Sequence, residues 1–258
     1  MTTVQYTANL QKGGALLDVA AVLVSSWDDT RSADDNLAAI TDANVFASTS
    51  EVRRKDIIGR IVRPRFIEPG PHVIGALRFL LDTDRHAFRD ACYFETARAE
   101  PLLAAFVEQQ LFAWYEAGRS SITVEDAAGW LADQEALGRT PPWSDAVRTK
   151  VARALLAALR DFGVLSGVRS GTRKEIGQPY PSIGGFAYVC WRLQELGVSA
   201  ASLETAPAWR RWLLTQNDVV ALMADLAQHG VIGLNRAGSI VRIEWRASSL
   251  TEAVHAAA

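Results

Sequence analysis

The feature that most constrains this chain is a junction that occurs twice. Leu159-Arg-Asp-Phe-Gly163-Val164-Leu165 closes one long amphipathic pattern, and Leu226-Ala-Gln-His-Gly230-Val231-Ile232 closes another. At each, helical periodicity stops at a glycine and passes at once into an apolar run followed by a glycine-containing turn. Glycine ends a helix in the left-handed region without a Cβ penalty, so both junctions read as a helix feeding straight into a strand. Helix, glycine, strand, turn, strand is the back half of a winged helix. Such connectivity speaks of fold and does not by itself name a function.

The second copy has the clearer hairpin. After Val231-Ile232-Gly233-Leu234 come Asn235-Arg236-Ala237-Gly238, and then Val241, Ile243 and Trp245 alternate with Arg242, Glu244 and Arg246. Period-two alternation across a short glycine turn predicts a two-stranded hairpin with one buried face. The first copy is vaguer, with Val164-Leu165 before Gly167-Val-Arg-Ser-Gly171-Thr-Arg-Lys174 and Ile176 after it.

At 258 residues the chain can bury a proper core, as one domain or as two to three small ones. Although 49% of it is apolar, no uninterrupted apolar run approaches the roughly 20 residues a membrane-spanning helix needs. A soluble protein with no membrane association is expected. The start, Met1-Thr-Thr-Val-Gln-Tyr6, lacks the basic and apolar regions of a signal peptide, which points to the cytoplasm. Cys92 and Cys190 sit in aromatic surroundings, with no Cys or His at metal-ligand spacing, and read as reduced core thiols. The formal net charge is −2, so any nucleic-acid role must rest on local basic patches.

Helices are expected over residues 14–27 and from Ala33 to about Ala43, the latter begun by Ser32 with Asp34 and Asp35 in its first turn. A third starts at Ser48, Thr49 or Ser50 and ends before Pro64. It is the most basic stretch of the chain. Ile57, Ile58, Ile61 and Val62 project to one side, and Arg53, Arg60 and Arg63 to the other with Asp56 among them. This outer face is either a solvated one with Asp56 paired to Arg60 at i,i+4, or a surface for phosphates or an acidic partner. Further helices follow at about 72–82, 84–98 and 100–117, the last with Pro101 where a helix tolerates it.

Gly118-Arg-Ser-Ser121 marks the end of this helical stretch and the boundary to the first winged-helix pattern. Thr123 caps a helix to Leu137, and a long helix from Trp143 to Phe162 carries the stripe Val147, Val151, Ala154, Leu155, Ala158 and Phe162. Lys150, Arg153 and Arg160 project to its opposite side. Two helices across a short turn, followed by a hairpin, satisfy the winged-helix pattern, with the second helix in the recognition position. Those three residues, with Arg169, Arg173 and Lys174 in the following loop, form the second candidate DNA surface, again beside the reading of a solvated face. Another helix runs from Ile183 to Leu196 after Ser182, and a helical pattern broken at Pro207 runs from Ser199 to His229. Ser249 starts a short Ala-rich tail.

The four histidines, His72, His86, His229 and His255, share no ligand spacing, and no nucleophile, phosphate-loop or dinucleotide motif is present. Acidic pairs sit at helix starts, where capping accounts for them. A non-enzymatic protein without metal or cofactor is expected.

Taken together, the opening Tyr6-Thr-Ala-Asn-Leu10-Gln-Lys-Gly13-Gly14-Ala-Leu16-Leu17, the Asn44…Ser48-x-x-x-Val52-Arg53 stretch and the Leu-x-x-x-Gly-Val-Leu junction at 159–165 resemble the BrxA family of BREX bacteriophage-exclusion systems. The similarity is a diffuse pattern of apolar and small residues over most of the chain, without a catalytic signature. The resemblance implies a cytoplasmic, mainly helical protein with a bundle like that of the NusB antitermination factor, able to bind double-stranded DNA. It also implies partners, a DNA methyltransferase and an ATPase among them, that mark host DNA and block phage replication. This chain departs from the family in being longer, with a second half that carries a full second wing.

The expected fold is therefore mainly α, with an N-terminal helical bundle over residues 1–118, a first winged-helix-like unit over 119–197 and a second over 198–258. The expected function is that of a non-enzymatic, duplex-DNA-binding accessory component of a BREX-type system. Candidate contacts are Arg53, Arg60, Arg63, Lys150, Arg153, Arg160, Arg169, Arg173, Lys174, Arg236 and Arg242. Two alternatives stand beside it: an adaptor whose winged helices contact other proteins of the system, and an RNA binder in the manner of NusB.

Overall fold

The computed structural model describes residues 5–42, 50–237 and 240–258. A single turn, α1 (Leu10–Gly13), leads into α2 (Leu17–Ser25) and α3 (Ala33–Asp42). α4 (Glu51–Ile57) runs into a π-helical stretch, Ile58–Ile67, followed by α5 (Pro71–Thr83) and α6 (Arg85–Ala99). α7 (Pro101–Ala105), a second π stretch (Phe106–Leu111) and α8 (Phe112–Glu116) continue one another. Next come β1 (Ser121–Thr123), α9 (Val124–Ala136), α10 (Asp145–Asp161), β2 (Leu165–Ser166) and β3 (Arg173–Ile176). The remainder is α11 (Ile183–Glu195), α12 (Ala200–Leu203), a 3-10 turn (Pro207–Trp212), α13 (Gln216–Gln228), β4 (Ile232–Ala237), β5 (Ile240–Trp245) and α14 (Leu250–Ala256). The fold is mainly α with short antiparallel hairpins.

Helix starts follow from side chains that accept backbone N–H groups otherwise left without partners. Ser50, Ser144, Ser182 and Ser249 each accept from the residue three positions on, and Thr123 and Thr215 form reciprocal capping boxes with Asp126 and Asp218. Gly163 and Gly230, with φ of 83° and 74°, end α10 and α13. They turn Val164-Leu165 and Val231-Ile232 inward, where none of the four is more than 2% exposed. One boundary is corrected: the third helix does not end before Pro64. The chain passes that residue in the wider π register, which accommodates the missing N–H and the ring.

Two compact units form, each from separated segments. The first takes the segment ending at Ala15, Thr96–Tyr180 and Pro207–Leu213. Its antiparallel sheet has the order β1-β3-β2, with Ile122 opposite Lys174 and Leu165 opposite Ile176. α9 and α10 pack on each other, α1 leans on α10, and β2 lies against α10. Ile122, Leu131, Val151, Leu155, Leu159 and Phe162 are buried there. Each side chain of that size contributes about 1.5–3 kcal/mol on full burial, which is what holds the sheet to the helices. Trp130 completes this core, edge-on to Phe106 and stacked with Tyr6.

The second unit takes Leu16–Glu95, Pro181–Ala206 and Leu214–Ala258. In it α5 packs against α2 and α14, and α11 against α13 and α14. The β4–β5 hairpin lies on α12 and α13, with Ile232 opposite Trp245 and Leu234 opposite Ile243. Trp245 meets Trp191 edge-on with ring centroids 4.8 Å apart, and its indole N–H donates to Gln194. Among the described residues no helix is long and apolar enough to cross a membrane.

Candidate nucleic-acid interface

α10 has one face in the core and one in solvent. Along the solvent face run Ala146, Thr149, Lys150, Arg153 and Ala157. Lys150 and Arg153 are exposed and, among the described residues, meet no carboxylate. The small neighbours keep the face low, so a partner backbone can approach both cations closely.

Arg148, on the same helix, has a different task. It donates to Glu135 at 2.9 Å, to Asp145 at 2.6 Å and to the Trp143 carbonyl at 3.1 Å, which fixes the turn between α9 and α10. The hydrogen bond from Arg148 holds the Glu135 carboxyl below its ordinary range. Sequence reasoning missed this residue, although its spacing to Asp145 was a signal. Arg160 keeps only 15% of its side chain exposed and is paired with Asp161, so it is not presented as Lys150 and Arg153 are.

On the hairpin, Arg169 is exposed at the turn after β2. Arg173 is exposed on β3 and paired with Glu175 at 3.2 Å, a surface pair of the kind worth about 0–1 kcal/mol and readily exchanged. Lys174 points the other way. It is 3% exposed, with its ammonium bonded to backbone carbonyls inside the hairpin.

The other candidates lie in the second unit. Arg60 pairs with Asp56 at 2.6 Å, the i,i+4 pair expected of a solvated face, and Arg63 pairs with Asp34. Arg53 is exposed without a carboxylate partner among the described residues. Arg242 on β5 meets Glu244 at 2.9 Å. Arg236 belongs to β4, but its side chain lies outside the described residues, as do Asn44, Ser48 and the Gly238 turn. Lys150, Arg153, Arg169 and Arg173 thus share one unit, on a helix and the hairpin packed on it. Arg53, Arg60, Arg63 and Arg242 belong to the other.

The second unit also holds a cleft of about 290 Å³ lined by Trp27, Asp29, Arg31, Ile67, Pro71 and Ile74. Among the described residues no group of His, Cys, Asp and Glu is placed to hold a metal ion. Cys92 and Cys190 are free and buried, and burial pushes both thiols well above their ordinary range.

Helical body, short hairpins and outward cations on one helix define a mainly α protein with a basic helix-and-hairpin surface. The chain belongs to the BrxA family, whose model matches residues 4–189. That match takes in the whole first sheet and ends within α11. The fold is similar to the crystal structure of an uncharacterized protein from Magnetospirillum magneticum, at 16% identity and a TM-score of 0.59, over 74% of this chain and 95% of that one. No curated protein matches the chain.

Proposed function

We propose that this chain is a non-enzymatic, duplex-DNA-binding accessory component of a BREX-type phage-exclusion system, acting in the cytoplasm, and that its contact surface is the outer face of α10 with the β2–β3 hairpin. The observation that carries this reading is the sheet order β1-β3-β2 around α9 and α10. Helix, strand, helix, helix, strand, strand is the connectivity of a winged helix, with α10 in the recognition position and the β2–β3 loop as the wing. Lys150 and Arg153 add exposed cations without carboxylate partners among the described residues. Such side chains meet phosphates, which gives affinity without sequence preference. The methyltransferase and ATPase that the family resemblance implies would then meet this protein on shared DNA.

Charge reversal tests the surface. Lys150→Glu with Arg153→Glu lowers affinity alike for duplexes of unrelated sequence and flattens the slope of log affinity against log salt by about one unit per residue. An unchanged slope overturns the assignment.

A protein-contacting role has one specific observation in its favour. The cleft of the second unit sets Trp27, Ile67, Pro71 and Ile74 as apolar walls beside the exposed Asp29 and Arg31, which suits an amphipathic segment of a partner. Retention of a BREX partner by protein that binds no duplex at low salt would select this reading.

A further inference from the structure

Lys174 lies in the middle strand of the three-stranded sheet, opposite Ile122, with 3% of its surface exposed. A buried ammonium needs acceptors, because leaving it unpaired is far costlier than burying the methylenes that carry it. Its Nζ has two: it donates to the carbonyl oxygen of Val168 at 2.5 Å and to that of Gly171 at 2.6 Å. These residues are the first and last of a β-turn, closed by the Gly171 N–H donating to the Val168 carbonyl at 3.0 Å. The ammonium therefore holds the turn at both ends.

The flanks of the turn are built for that closure. Gly167 has a φ of 124°, and a Cβ on Gly171 would come within 3.3 Å of the Val168 carbonyl oxygen. Among the described residues no carboxylate pairs with the ammonium. Burial, and after it the Arg160 guanidinium, hold it below the usual lysine range. Outside, the turn presents Val168, 72% exposed, together with the exposed Arg169 and, at the start of β3, Arg173.

We propose that Lys174 is a positioning residue. It fixes the 167–172 turn so that Arg169 and Arg173 meet duplex phosphates in one geometry, and it touches no nucleic acid itself; the inference rests on the DNA-binding reading above. A turn ordered before binding strengthens association because less freedom is lost on contact.

A double-mutant cycle on the full chain, with a short labelled DNA duplex, tests this. Lys174→Met keeps the stem and removes the ammonium. It lowers affinity about tenfold, and it speeds amide hydrogen exchange across 167–172 in the free protein. Arg169→Ala alone also weakens binding, but adds little in the Lys174→Met background, since both act through one geometry. Additive losses with the exchange unchanged would make Lys174 a direct contact and overturn the proposal while the DNA reading stands. A wild-type protein with no duplex affinity at low salt would overturn both. If Lys174→Met does not fold, Gly171→Ala crowds the Val168 carbonyl that the ammonium holds and completes the cycle.

Discussion

Arg192 Nε donates to Glu95 Oε1 across 2.7 Å, with the two side chains 5% and 0% exposed. Glu95 also accepts the Tyr188 hydroxyl at 2.9 Å, and Arg192 reaches on to Glu195, so a carboxylate of α6 and a guanidinium of α11 centre a buried network in the second unit. Burial, and then the Glu95 carboxylate, push the Tyr188 hydroxyl well above its ordinary range and keep it a proton donor. Removing Glu95 takes the buried acceptor from both Arg192 and the Tyr188 hydroxyl and leaves the guanidinium with the partly exposed Glu195. Glu95→Ala is therefore expected to destabilise the protein by about 3–5 kcal/mol, whereas Glu95→Leu combined with Arg192→Met costs much less. Urea unfolding of the variants checks this, and equal losses would contradict it.

Gly185 sits where α11 passes over α6. A Cβ there would lie 2.5 Å from Asp90 Oδ2 and 2.7 Å from Asp90 Cβ, while a Cβ on Gly129 of α9 would meet nothing within 4 Å. Gly185→Ala is accordingly expected to cost about 1–3 kcal/mol through overpacking. Gly129→Ala should instead raise stability by up to about 1 kcal/mol, because alanine suits a helix interior better. Thermal unfolding of the pair, measured side by side, should move in opposite directions.

Asp126 accepts hydrogen bonds from Arg119 and from the Thr123 N–H at 2.8 Å, and these hold its carboxyl below the ordinary 3.8. A carboxyl depressed in the folded state stabilises it above the unfolded value and loses that contribution as pH falls through the folded one. Stability should thus decline on acidification below about pH 4, and Asp126→Asn should remove part of that decline. At neutral pH the variant is expected to cost about 1 kcal/mol, since the neutral amide gives up the charge that faces Arg119 and the start of α9. Unfolding of both proteins at neutral and acid pH checks the sign; identical pH dependence would contradict it.

Local interactions were legible in the sequence. Ser50, Thr123 and Ser182 cap within four residues of themselves, Asp56 and Arg60 pair one turn apart, and the two glycine junctions stop their helices where the periodicity stops. β1 was not legible, because Ser121-Ile-Thr is too short to show alternation and gains its meaning only from the pairing with β3. Helical projection set Arg160 on the outer face but carries no information on what packs over it, and 15% of its side chain remains exposed. The burial of Lys174 did leave a trace: it has the same strand parity as Ile176, whose partner Leu165 is buried. Segments far apart in the chain, such as α1 and α10, come together by contacts that no local pattern encodes.

The most direct measurement is binding of the full chain to a labelled DNA duplex, titrated from low to physiological salt, for the wild type and for Lys150→Glu with Arg153→Glu. Duplex binding through α10 predicts that wild-type affinity falls steeply with salt, and that the variant binds more weakly with a slope flatter by about two units. Wild-type binding absent at low salt, or a variant with the wild-type slope, would contradict it.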